Sequence, residues 1–320
     1  MGTAQIRFSR FAWGVLAYHV FVVLWGAFVR ATGSGAGCGG HWPLCNGDVV
    51  PHAPTVATLI EYAHRLTSGL ALALVAALWI WSRRAFPQAH PARRFATLSV
   101  VFLVLEALLG AGLVLFDYVA QNASAGRAFY LALHLANTQV LLAVLTLTAW
   151  ISAGDGLRLE PAAVPRALAA ALPAVIVVSM TGAVAALGDT LFPAASVRAG
   201  IGQDLSPAAH FLLRLRIMHP ALAVAAGFFV LFAASSAVRR RPAARVKRLA
   251  AILTGLVLAQ LCAGAVNIAL LAPVWLQIVH LLLADALWIV LVVLAAETAR
   301  ATGEPVPGAG PGRLRATSPA

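Results

Sequence analysis

From Phe129 to Ile151 the chain reads FYLALHLANTQVLLAVLTLTAWI, without a single Asp, Glu, Lys or Arg. A membrane-spanning helix needs about 20 predominantly apolar residues, so this stretch is long enough to cross a bilayer. Runs of the same kind recur at Phe11–Val29, Leu59–Trp81, Phe95–Tyr118, Ala167–Leu187, Phe211–Ala237, Leu249–Leu271 and Val274–Ala296. Polar, Gly- or Pro-bearing stretches separate them, and the longest runs from Arg30 to Thr58. Together they predict an all-α integral membrane protein of eight transmembrane helices.

The whole chain agrees. Of its 320 residues 61% are hydrophobic and 11% charged, against roughly half and a quarter in a soluble domain. A soluble fold would lack the polar side chains to cover its surface. Disorder is excluded as well, because it needs low hydrophobicity and high charge.

The net charge of +12 raises the question of nucleic acid, since a strongly basic chain can carry a phosphate-binding footprint. The placement of the charges answers it. With eight helices both termini share one side. If that side is the cytoplasm, 17 of the 23 Lys and Arg fall inside and 6 outside. This is the positive-inside pattern, and it predicts N-in/C-in with no nucleic-acid partner. The N-terminus carries a short basic stretch, then a long apolar run without a small-residue cleavage site, and reads as an uncleaved first helix. The Gly/Pro-rich tail at 301–320 is expected to be a disordered cytoplasmic segment.

The two halves echo each other. The second span opens E-Y-A-H (Glu61 to His64), and the sixth has R-I-M-H (Arg216 to His219) 155 positions later. E-A-L-L-G-A-G from Glu106 in the third span meets Q-L-C-A-G-A-V from Gln260 in the seventh. L-H-L-A-N from Leu133 meets V-H-L-L-L-A-D from Val279. G-A-F-V-R-A-T-G from Gly26 is matched by T-G-A-V-A-A-L-G-D from Thr181. Each match alone is weak in Ala/Leu-rich helices; four in the same order are not. Four helices separate each segment from its copy, so the repeat is parallel, about an axis along the membrane normal. The expected organisation is two pseudo-symmetric four-helix bundles at 1–152 and 153–300.

Of nine His, five lie in loops, at a helix edge or without a repeat partner: His19, His41, His52, His90 and His210. The remaining four, His64, His134, His219 and His280, lie inside spans near their outer ends. A lone His there is most simply a hydrogen-bonded core residue. Four at matched depth in two repeats point to paired ligands, because ionisable groups in spans are costly and usually functional. Two imidazoles on facing helices can hold one haem iron, so His64 with His134 makes one candidate site and His219 with His280 a second. A closed zinc site would need more ligands than each half offers.

The two pockets differ. Glu61 lies three residues before His64, on the same helical face; Arg216 holds the matching place before His219. An acid there suits proton transfer or charge stabilisation; its plainer role is an i+4 partner for Arg65. A base suits a propionate; its plainer role is snorkelling to the interface. Glu106 and Asp285 read as structural, with a proton path as the alternative. Cys262 reads as a small buried hydrophobe. Cys38 and Cys45 share the first outer loop, on an oxidising side that favours a disulfide; a redox role, or a metal site with His41 between them, stays open.

Two motifs, G-A-F-V-R-A-T-G-S-G-A-G-C-G-G-H-W-P-L-C-N-G from Gly26 and I-E-Y-A-H-R from Ile60, resemble those of the haem A synthase family. So do T-G-A-V-A-A-L-G-D-T-L-F-P-A from Thr181, R-I-M-H-P from Arg216 and I-V-H from Ile278. The resemblance covers nearly the whole chain except the tail. It implies an oxidoreductase of a bacterial inner membrane. The enzyme would oxidise a methyl group of haem O to a formyl group, giving haem A for terminal oxidases. It implies haem b held by His219 and His280, substrate haem held by His64 and His134, Glu61 as catalytic residue, and Arg65 and Arg216 as pocket or propionate contacts. It also implies a Cys38–Cys45 disulfide. Some members carry a second Cys pair between the fifth and sixth spans; Asp189–His210 has none. The implied partners are a haem O synthase as donor, an electron donor such as a ferredoxin, and membrane lipid; a homo-oligomer is left open. Two other classes compete. A di-haem b-type cytochrome that only transfers electrons would show the same four His, without need for Glu61 or the loop motif. A transporter on the same repeat would show spans broken near the midplane.

Overall fold

In the computed structural model residues 3–154 and 160–300 are described. Among them there are nine α-helices and no strand. Eight are long and apolar enough to cross a membrane: α1 (Thr3–Ala31), α2 (Val56–Ala85), α3 (Pro91–Leu115), α4 (Ala125–Ser152), α5 (Arg166–Leu191), α7 (Phe211–Arg240), α8 (Ala244–Ala269) and α9 (Val274–Thr298). They match the eight expected spans, with most ends shifted by a few residues or less; α1 begins at Thr3, well before the expected Phe11, while α3 and α8 stop short of the expected Tyr118 and Leu271. The ninth, α6 (Val197–Leu205), has no counterpart in the apolar pattern, because it carries Arg198, Gln203 and Asp204. The expected tail at 301–320 lies outside the described residues.

Local chemistry sets where the spans begin. Thr55, Ser124 and Ser196 each accept a backbone N–H three residues on, at 3.1–3.2 Å, capping α2, α4 and α6. His90 and His210 do the same two residues on for α3 and α7, with Pro91 at the first position of α3, where its missing N–H costs nothing. Helices α5 and α7 run unbroken through Pro173 and Pro220. Neither is a broken transporter-type helix.

Helices α1, α2, α3 and α4 pack each on the next, and α4 returns to α1. In the same way α5 packs on α7, α7 on α8, α8 on α9 and α9 on α5. Contacts between the two sets run through α1, α4, α5 and α9. There Trp288 Nε1 donates to Gln139 O at 2.7 Å, and Arg30 at the end of α1 reaches across. Its guanidinium donates to Ala186 O and Thr190 Oγ1 on α5, both at 2.8 Å, and to Gln277 Oε1 on α9 at 2.9 Å.

The larger buried core lies toward one end of the molecule, and a smaller cluster of Ala128, Ala132, Val184, Leu187 and Leu212 lies toward the other. In the larger core Phe8 and Ala12 of α1 meet Leu78 of α2, Ile151 of α4, Leu168 of α5, Leu253 of α8 and Leu294 of α9. The four His sit toward the opposite end, within the first three turns of α2, α4, α7 and α9. Their neighbours Leu66, Leu133, Met218 and Val279 are exposed.

Cys262 on α8 is exposed, not buried. In a spanning helix the apolar partner of such a residue is lipid as readily as protein, so its hydrophobic setting in sequence did not place it in the core.

Candidate functional site

Each of the four His faces a glycine on an odd-numbered span of the sequence. A Cβ added to Gly26 on α1 would stand 3.0 Å from His64 Cε1, and one on Gly110 of α3 would stand 3.5 Å from His134 Nε2. At Gly182 on α5 it would meet His219 Cε1 at 3.0 Å, and at Gly264 on α8 it would meet His280 Cε1 at 3.2 Å. The rings lie against neighbouring backbone in space that most side chains would fill. His64 and His134 lie on α2 and α4 of the first set, and His219 and His280 on α7 and α9 of the second. The sequence pairing thus keeps both members of each pair within one helix set.

The rings are held differently. His134 Nδ1 is 3.1 Å from Glu106 Oε1. His219 Nδ1 is 3.0 Å from Thr181 Oγ1, whose hydroxyl donates to Val178 O at 2.8 Å and so accepts from the ring. Gln260 Nε2 lies 3.2 Å from His280 Nε2. The Nδ1 atoms of His64 and His280 are buried and have no hydrogen-bond partner among the described residues.

Such a set suits haem. A six-coordinate haem iron takes only two ligands from protein, and imidazole is a common one. No group of three or more His, Cys, Asp and Glu able to hold a metal ion is present among the described residues. The glycine-cleared space beside the four rings fits a group that brings its own equatorial ligands.

Glu61 on α2 is buried, at 4% exposure. Its Oε2 accepts from Cys38 N at 2.8 Å, and its Oε1 accepts from Arg65 at 2.5 Å. The i+4 pairing with Arg65 is present, but the carboxylate has this second tie. Arg65 donates further to the carbonyls of His41 at 2.6 Å and Leu44 at 2.5 Å. Both carbonyls lie in the loop closed by the Cys38–Cys45 disulfide, whose Cα atoms are 4.4 Å apart. That bond uses both thiolates, which removes the metal site with His41. The loop also needs Gly37, where a Cβ would come within 2.6 Å of Thr58 N. Glu61 and Arg65 thus join α2 to the disulfide loop over the end of the first set.

Arg216 does not snorkel. Its guanidinium is 2.5 Å from Asp204 of α6 and 3.2 Å from Asp189 of α5. It also donates to Phe192 O at 3.3 Å. Asp204→Ala is expected to cost about 1.5–3 kcal/mol, the range for a hydrogen bond to a charged group. Thermal unfolding in detergent would read it, and an unchanged midpoint would refute it.

Sequence reasoning missed several of these residues. Arg30 was counted only as an outer charge, and Thr181 and the four glycines were not singled out. A signal did exist: Glu106 stands four residues before Gly110, and Gln260 four before Gly264. Asp285 is fully buried on α9 with both carboxyl oxygens unpartnered among the described residues. It touches none of the four His by hydrogen bond.

A family model for COX15-CtaA, cytochrome oxidase assembly protein, matches residues 9–292. A Thermus thermophilus protein called "Protoheme IX farnesyltransferase" is 54% identical over 294 residues, 91% of this chain and 48% of that relative. The chain therefore spans about half the length of that relative. A "Heme A synthase" of Exiguobacterium sibiricum is 31% identical over 237 residues, 73% of this chain and 76% of that relative. Another, of Halalkalibacterium halodurans, is 40% identical over 143 residues, 45% of each. With its eight spans, this multi-pass membrane chain belongs to the COX15-CtaA family of cytochrome oxidase assembly proteins.

Proposed function

We propose that the chain is a haem A synthase, oxidising a methyl group of haem O to a formyl group. The observation that carries this reading is the pair of His sites in one chain, each ring set against a glycine, with Glu61 locked over one of them. The similarity to proteins called heme A synthase supports it. We read 1–152 and 153–300 as two pseudo-symmetric bundles related by a parallel repeat, with both termini in the cytoplasm. The sequence matches and the excess of basic residues on that side support this.

In this reading His219 and His280 hold haem b in the second bundle, and His64 and His134 hold substrate haem O in the first. Haem b, when bound, supplies one-electron redox chemistry. Thr181 fixes the His219 ring with Nδ1 as donor, leaving Nε2 for iron. Glu61, paired with Arg65, places a buried carboxylate at the mouth of the first site. With Arg65 it also holds the disulfide loop as a cover against water. Arg216, neutralised by Asp189 and Asp204, is the quieter counterpart at the second site and a candidate propionate contact. A relative roughly twice as long, named for farnesyl transfer to protohaem, supports a haem O synthase as the donor. A di-haem electron carrier has no need for Glu61 or for a loop tied to it.

Pigment extracted from cells expressing the chain with a haem O source should contain formyl haem. Its absence, with both haems bound, would overturn the proposal. Gly182→Val is expected to push the His219 ring aside and strip haem b, read as loss of its absorbance from the purified protein. Full absorbance would contradict the packing argument.

A further inference from the structure

Glu106 on α3 uses every hydrogen bond it has around His134. Its Oε1 lies 3.1 Å from His134 Nδ1 and accepts from the Thr138 hydroxyl. Its Oε2 accepts from the Asn137 amide at 2.5 Å, and that amide donates its second hydrogen to Phe102 O at 2.9 Å. An ionised carboxylate only accepts, and two donors and the His134 ring converge on this one. The carboxylate can therefore turn neither away from the ring nor toward another partner without breaking bonds that α4 supplies.

The second site is built otherwise. Gln260, 154 positions after Glu106 and likewise four before the ring-facing glycine, places its amide nitrogen 3.2 Å from His280 Nε2. One half holds its His by the Nδ1 side with a carboxylate. The other touches its His on Nε2 with a neutral amide. Partners of this kind set the tautomer, orientation and donor strength of an imidazole ligand.

We infer that Glu106 is the positioning residue of the substrate site: it fixes His134 with Nδ1 protonated and Nε2 presented to iron, and its charge favours the ferric state there relative to the site that carries Gln260. The inference rests on the reading that His134 binds the substrate iron.

The test uses the full chain in detergent, loaded with iron protoporphyrin or haem O. First-site affinity is read by optical titration and midpoint potential by spectroelectrochemistry, with the haem b signal resolved separately. Glu106→Gln is expected to weaken ferric haem binding at the first site by about 10- to 100-fold. It should raise that site's potential by about 59 mV for each tenfold by which ferric binding is lost over ferrous. Gln260→Glu should move the haem b potential the opposite way. Thr138→Val keeps the carboxylate but removes one clamp, and should shift the first site in the same direction as Glu106→Gln by less. It decides the matter if Glu106→Gln does not fold. Unchanged affinity and potential in Glu106→Gln, or in Thr138→Val if that variant stands in, overturn the inference. If His134→Ala leaves first-site haem intact, the functional reading falls with it. If His134→Ala removes that haem and Glu106→Gln shifts nothing, only the inference falls.

Discussion

Glu61→Ala is expected to abolish formyl haem while leaving the haem b absorbance at its full amplitude. The fall should be on the order of 10²- to 10⁴-fold, the range for a positioned acid–base group. Two losses coincide. The site loses its only buried carboxylate on α2, and the loop loses a tie. Cys38 N–H is left without its acceptor, and Arg65, whose side chain is 13% exposed, is left without its anion. Glu61→Gln separates these effects in part. It keeps the shape, but its amide end must face either the Arg65 guanidinium or the Cys38 N–H, and each is already a donor. We therefore expect Gln to fail nearly as badly as Ala, and Glu61→Asp to retain part of the activity. Haem b should survive because its proposed ligands, His219 and His280, lie on α7 and α9, in the second set of helices. Normal formyl haem in Glu61→Ala would end the catalytic assignment.

His219→Ala should remove haem b and, with it, both redox supply and stability. Its ring is aimed by Thr181 and lies flush with Gly182. A ligand bound only by the native state stabilises by about 4 kcal/mol at a thousand times its dissociation constant. The purified variant should lack the haem b spectrum, unfold at lower temperature and make little product. His280→Ala should behave alike. Retention of a full haem b spectrum in either variant would move the cofactor to other ligands.

The spans were legible because a bilayer imposes length and composition on every helix at once. The His quartet was legible because ionisable groups stand out against an apolar run. The glycines that face those rings were marked only by their place in the repeat, four residues after Glu106 and Gln260 in two cases; that they lie against His rings needed the packing of one span on another. Arg216 showed the limit of local reasoning. Its neighbours in sequence allow snorkelling, but Asp204 comes from a short polar helix that no apolar pattern announces. Arg30 is similar: its partners Ala186, Thr190 and Gln277 lie over 150 positions away. Glu106 was visible as an acid in a span, yet its role needed the approach of α3 to α4.

The outward-facing sulfur on α8 has a practical use. The chain has three Cys; two are joined in the loop and Cys262 is free and exposed. A membrane-permeant alkylating reagent should therefore add a single mass increment to the native chain, and three after reduction and unfolding. That arithmetic gives a direct assay of whether the loop bond is intact in any variant. It also offers one attachment point for a spin or fluorescent label, exposed on α8 between Gln260 and Gly264, the two residues of that helix that meet His280.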